Sequence, residues 1–159
     1  MKSEPSEEKV LISNRKALHD YFIIETYEVG IALKGTEVKS LRLGNANLQD
    51  SFAVIRNGEV WLSSMHISPY DQANINNHDA KRERKLLLHK KEIRRIYGKT
   101  LEKGTTLIPL RVYLKKNIIK VEIALARGKK SYDKREAIAK REVEREEEEN
   151  TEPKIIKGK

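Results

Sequence analysis

Between Leu110 and Ala126 the apolar residues return at every second position on both sides of a short polar turn. Leu110, Val112 and Leu114 alternate with Arg111, Tyr113 and Lys115. After Lys116-Asn117, Ile119, Val121, Ile123 and Leu125 alternate with Lys120, Glu122, Ala124 and Ala126. A period of two sends alternate side chains to opposite faces of a strand, so this stretch predicts an antiparallel hairpin with one buried face. A second hairpin runs from Phe52 to Ile55 and from Val60 to Leu62, turning at Asn57-Gly58. Asn-Gly accommodates the positive φ that a tight two-residue turn demands at both central positions.

Further strands fit the same frame. Tyr27, Val29, Ile31 and Leu33 alternate with Glu28, Gly30, Ala32 and Lys34, with Gly30 marking a bulge or bend. Leu86, Leu87 and Leu88 read as a short buried strand. Helical signals are brief. Ser13 or Asn14 caps a turn through Arg15, Lys16, Ala17 and Leu18. Val38, Leu41 and Leu43 suit a short helix with Lys39 and Arg42 outward. Residues 89–103 form an amphipathic helix with Ile93, Ile96, Tyr97 and Leu101 on one face, stopped by Gly104. Its other face carries Lys90, Lys91, Arg94, Arg95 and Lys99. Residues 66–84 follow neither period and read as a long polar loop. Five or six short strands in hairpins, with no parallel βαβ rhythm, predict a mainly β fold with short helices. The fitting architecture is a small antiparallel barrel of the oligonucleotide-binding type, with an open sandwich as the alternative. The domain spans residues 10–128, after a flexible lead-in over 1–9. Residues 129–159 form a basic-then-acidic tail, disordered when free and helical on a partner.

Charge is unevenly placed. The whole chain carries +9. Residues 1–80 hold 8 basic and 11 acidic side chains, residues 81–135 hold 19 and 5, and residues 136–159 hold 6 and 8. The middle segment, at +14, therefore exceeds the entire positive balance. Such concentration predicts a basic binding face, and a phosphate backbone rewards each neutralising Lys or Arg through counterion release. The absence of cysteine excludes disulfides, thiolate metal sites and thiol catalysis. No apolar run approaches the length of a bilayer span, and Met1 to Lys9 is too charged for a signal peptide. A cytoplasmic protein away from membranes is the expectation.

The sequence holds no phosphate-binding glycine loop, zinc motif or nucleophile elbow. The four histidines, His19, His66, His78 and His89, lack metal-ligand spacing. His78-Asp79 reads as a turn or an RNA contact. Glu25, Glu28 and Glu37 are a weak candidate for a divalent-ion nuclease site, because Glu25 and Glu28 face opposite ways on a strand. Phe22 and Trp61 read as core residues, while Tyr21 divides evenly between core and base-stacking roles. NRKALHDYF interleaves aromatic and basic side chains, and KRERK at residues 81–85 adjoins the cationic helix, both suited to RNA.

The blocks NRKALHDYFI, GTEVKSLRLGNANLQDS, HISPY, NHDAKRERKLLLHKKEI and ALARGKKSYDKRE closely resemble the SsrA-binding protein (small protein B) family. They lie in order over most of residues 14–136. The resemblance implies an oligonucleotide-binding-type barrel without cofactor or enzymatic activity, acting as a monomer. It implies binding to the tRNA-like domain of transfer-messenger RNA and delivery of that RNA to stalled ribosomes in trans-translation. Elongation factor Tu would be a partner indirectly, through the RNA. Asn14, Glu28 and Leu87 match family positions linked to RNA binding; Arg15, Lys16, His19, Lys39, Arg42, Arg84 and Lys85 extend this surface by proximity in the motifs. Gly128, Lys129, Lys130, Tyr132, Asp133, Lys134 and Arg135 resemble the segment facing the small-subunit decoding region. The tail would enter the vacant mRNA channel, with Tyr132 stacking on a base. The acidic stretch EREEEEN departs from an RNA-facing tail. A structural ribosomal protein is the alternative function.

Overall fold

In the computed structural model, residues 8–72 and 77–129 are described. Nine strands and three helices follow in the order β1 (Glu8–Ser13), α1 (Arg15–Asp20), β2 (Tyr21–Ile31), α2 (Gly35–Arg42), β3 (Ala46–Asn47), β4 (Phe52–Arg56), β5 (Glu59–Ser63), β6 (His66–Ile67), β7 (Arg84–Leu87), α3 (Lys90–Thr100), β8 (Thr105–Lys115) and β9 (Ile118–Gly128). The two hairpins form as the alternation predicts, β4–β5 and β8–β9. Asn57, Gly58, Lys116 and Asn117 all take positive φ, so both turns have the twist that matches paired strands.

Strand order is β1-β8-β4-β5-β7-β2-β9, and β9 also pairs with β8. That pairing closes a ring of six antiparallel strands into a barrel, to which β1 adds along β8. The open sandwich is thereby excluded. The expected count of five or six strands misses β1 and the two-residue pair β3–β6. Glu8 and Lys9, expected in a flexible lead-in, pair with Lys115 and Leu114. No helix among the described residues is long and apolar enough to cross a membrane.

Burial occurs on both sides of the barrel wall. Val29, Val60, Leu62, Leu86, Leu107, Val112, Val121 and Ile123 fill the interior, and Ile93 and Ile96 of α3 plug one end. Outside, Ala17 of α1 packs with Ile108, Leu110, Ala124 and Ala126. Two bulges make this possible. The β8–β9 register shifts between Pro109 and Arg111, and the β2–β9 register shifts between Ile23 and Glu25. A bulge inserts one residue and reverses the alternation. Leu110, expected on the face of Val112, therefore lies outside under α1 while Val112 lies inside. Leu87 is exposed although Leu86 is buried, since the triple-leucine run obeys the strand period. Tyr97 of α3 and Leu101 at its C-cap are exposed, so the helix's buried face is narrower than expected. Phe22 is exposed and Trp61 only half-buried, with Arg56 over its ring, so neither is a core residue.

The described parts of the polar stretch, residues 66–72 and 77–84, are anchored by a buried ion cluster. Glu37 of α2 and Arg84 of β7 are both fully buried. Arg84 donates to the Glu37 carboxylate at 2.8 Å and to the Met65 carbonyl at 2.6 Å. Arg82 donates to the same carboxylate at 2.6 Å, and the Lys34 amide at 2.8 Å. Burial alone would raise the Glu37 pKa. The bonds from Arg82, the Lys34 amide and Arg84 outweigh it and bring the pKa down to about 2. His78, also buried, spans Thr36 Oγ1 at 2.8 Å and the Ile67 carbonyl at 2.9 Å. It holds the loop and does not contact solvent as a surface residue would.

Candidate nucleic-acid interface

Among the described residues, the outer wall formed by β2, β9 and β8 is covered by α1 at one end only. At the other end Val29, Val112 and Val121 point inward. Their strand neighbours Glu28, Gly30, Arg111, Tyr113, Lys120 and Glu122 therefore point outward. Glu28 stands opposite Glu122, an arrangement that repels unless each carboxylate has its own cation. Arg111 donates to Glu122 at 2.7 Å, and Lys115 lies 3.3 Å from Glu28. The Tyr113 hydroxyl donates to Glu28 at 2.5 Å. The Arg111 guanidinium lies 4.1 Å from the Tyr113 ring centroid, which explains how an outward tyrosine is buried. Tyr113 lowers the Glu28 pKa most, Lys115 adds to this, and burial opposes it. Glu28 is thus an ionised acceptor facing outward.

Beside it, Gly30 pairs with Leu87, and a side chain at Gly30 would come within 3.3 Å of Leu87 Cβ. The missing side chain lets the exposed Leu87 lie across the strand. Glu28 and Leu87, remote in sequence, thus share one patch with Lys120. Such a surface offers a charged acceptor, an apolar contact and cations within one face, which suits the sugars, base edges and phosphates of folded RNA.

The remaining candidates divide by burial. Asn14 is nearly fully buried: its side chain donates to the Pro109 carbonyl at 2.9 Å and accepts from the Ala17 amide at 3.2 Å. It caps α1 and bolts it to β8, a structural place instead of the direct contact expected. Arg84 is the clearer correction, since its guanidinium is wholly enclosed by the Glu37 cluster. Arg15, Lys16 and His19 are exposed on α1, with Lys16 3.6 Å from Asp50 and His19 2.9 Å from Asp20. Lys39 and Arg42 are exposed on α2, and Lys39 lies 5.5 Å from the Tyr70 ring centroid. Lys85 is half-buried against Glu59 at 3.1 Å. Gly128 ends β9, and Lys129 lies 5.3 Å from the Phe22 ring centroid. Lys130, Tyr132, Asp133, Lys134 and Arg135 lie outside the described residues.

Arg111, Tyr113, Lys115 and Lys120 were not among the contact residues expected from the sequence. Their signal was present, because they occupy the polar phase of the alternating hairpin. The weak carboxylate trio does not assemble. Glu37 is interior, Glu28 faces outward, and Glu25 pairs with Lys99 of α3 at 2.7 Å. No group of three metal-ligating side chains occurs among the described residues.

Fold and surface together define a closed antiparallel barrel of the oligonucleotide-binding type. The model of the SmpB protein family matches residues 11–153, and the chain belongs to that family. A relative from Desulforudis audaxviator, named SsrA-binding protein, is 66% identical over 146 residues, covering 92% of this chain and 94% of the relative. Another of that name, from Carboxydothermus hydrogenoformans, is 65% identical over 139 residues, covering 87% and 93%. A chain from a solved structure described as "tmRNA-SmpB: a journey to the center of the bacterial ribosome" has 52% identity and a TM-score of 0.65, covering 76% of this chain and 85% of that one.

Proposed function

We propose that this chain binds the tRNA-like domain of transfer-messenger RNA and carries it to stalled ribosomes in trans-translation. The supporting observation is the Glu28–Leu87–Lys120 patch, which joins two positions that the family resemblance links to RNA binding. Phosphate contacts from the exposed cations position the RNA, and Glu28 accepts from a base amine or a 2′-hydroxyl. The 10–128 domain supplies this recognition, and the 129–159 tail enters the empty mRNA channel, where cations meet ribosomal RNA and Tyr132 stacks on a base.

Three measurements test the reading. RNA recovered with the full chain from lysate is sequenced; one small stable RNA supports the proposal, and ribosomal RNA alone refutes it. With about five phosphates neutralised, log K against log salt falls with a slope of about −4.5, taking the per-phosphate magnitude for duplex DNA. Truncation after Lys129 leaves RNA affinity intact and abolishes peptide tagging on stalled ribosomes. Loss of affinity in that truncation breaks the division of labour.

A further inference from the structure

The basic helix α3 has an outward face that the barrel does not use. Lys90, Lys91 and Arg94 make no ion pair among the described residues, and Arg95 makes none within 4 Å. Most other cations of residues 81–127 are paired: Arg82, Arg84, Lys85, Lys99, Arg111, Lys115 and Arg127 all have carboxylate partners. Alongside the free cations, Tyr97 of α3 is 49% exposed and its C-cap residue Leu101 67%. The chain leaves the barrel at this same end. Arg127 of β9 pairs with Glu102, just beyond α3, and Lys129 sits over Phe22.

The sequence beyond that exit holds the complementary charge. Glu142 to Glu149 contains six glutamates, one arginine and Val143, a net of −5. We propose that this acidic segment docks on the outward face of α3 in the same molecule, shielding its cations until RNA displaces it. Reach is not limiting. The 17 residue-to-residue steps from Lys129 to Glu146 span up to about 55 Å when extended, whereas α3 is about 16 Å long. Tethering makes the encounter intramolecular, at an effective concentration on the order of millimolar, so weak pairing suffices. The contact is electrostatic between exposed groups, and salt that shortens the Debye length to about 3 Å at 1 M dissolves it. RNA phosphate competes with the acidic run for the same lysines and arginines. This proposal does not depend on which RNA the barrel recognises.

The absence of cysteine permits a clean test on the full chain. A nitroxide is attached at Asn150→Cys, and broadening of the α3 backbone amides is measured against the reduced label. The expected result is broadening at residues 90–101 that is lost in 1 M salt. It is lost equally when Glu146, Glu147, Glu148 and Glu149 are all changed to Gln, or in Lys91→Gln/Arg94→Gln. Broadening that survives these changes overturns the proposal. So does broadening seen only between labelled and isotope-labelled molecules in a mixed sample, which marks a second copy as the occupant. Shifts of α3 amides that arise only on adding a polyuridylate oligonucleotide also overturn it, marking RNA as the occupant.

Discussion

Two neighbouring basic runs meet opposite fates in this fold. Arg82 and Arg84, from KRERK, converge on Glu37 beneath the surface, and Arg84 is fully enclosed. Six residues later, Lys90, Lys91, Arg94 and Arg95 stand on the solvent side of α3. By composition the runs are nearly interchangeable. The difference is geometric: a strand feeding the barrel wall turns every second side chain inward, whereas a helix plugging the end buries one stripe and leaves the rest outside. The inward arginine is tolerated because a carboxylate and carbonyl oxygens meet its donors. A high charge count therefore locates a basic segment without saying which of its cations are free to bind.

The comparison can be broken most severely at its buried half. Glu37→Ala leaves the enclosed Arg84 without its counterion, and the expected loss is about 3–5 kcal/mol in urea unfolding. A loss below about 1 kcal/mol would show that Arg84 finds water or another partner.

Acid should dissolve the same cluster. The Glu37 pKa is lowered from 4.5 to about 2 in the folded protein. A depressed carboxylate stabilises the fold above its unfolded pKa, and that contribution fades as pH falls from about 5 toward 2. Stability measured over this window should fall more steeply in the native chain than in Glu37→Gln. Equal slopes would place the acid sensitivity elsewhere.

Asn14 offers an intermediate test, because it was expected at the RNA surface and is found beneath it. Asn14→Ala removes a helix cap and a side-chain tie to β8, and about 1–2 kcal/mol of stability should go with them. If RNA affinity instead falls in the mutant while unfolding is unchanged, Asn14 reaches the ligand. The smallest stability effect belongs to the solvent side. Arg94→Gln should stay within about 0.5 kcal/mol of the native protein. Where Arg94 meets a phosphate, the mutant's salt slope is about 1 shallower. Unfolding at lower denaturant in Arg94→Gln would mean that the outward face also supports the barrel.

Much of the architecture was written in local pattern. The alternation in 110–126, the Asn57-Gly58 and Lys116-Asn117 turns and the apolar stripe of α3 each rest on contacts a few residues apart. The strands missed, β1 and β3–β6, are short or half-exposed and carry little alternation of their own. Glu28 and Leu87 were legible as contact candidates only through the family resemblance. Their adjacency depends on β2 pairing with β7, a contact between residues 55 or more apart that no window along the chain reveals.

What the sequence determined alone was the period of its strands, the turn sites, the +14 concentration in residues 81–135 and the family they resemble. Tertiary structure alone decided how that charge is used. Barrel closure folds Glu8, Glu25, Glu28, Glu37 and Glu59 from the acidic first half onto cations of the basic middle. The apparent surplus is thus partly structural, and among the described residues α3 carries four of the cations left without an ion pair. The physical reason is range. Periodicity acts between neighbours, whereas burial and ion pairing depend on which distant strands meet, and the bulges at Leu110 and Ile24 set that meeting.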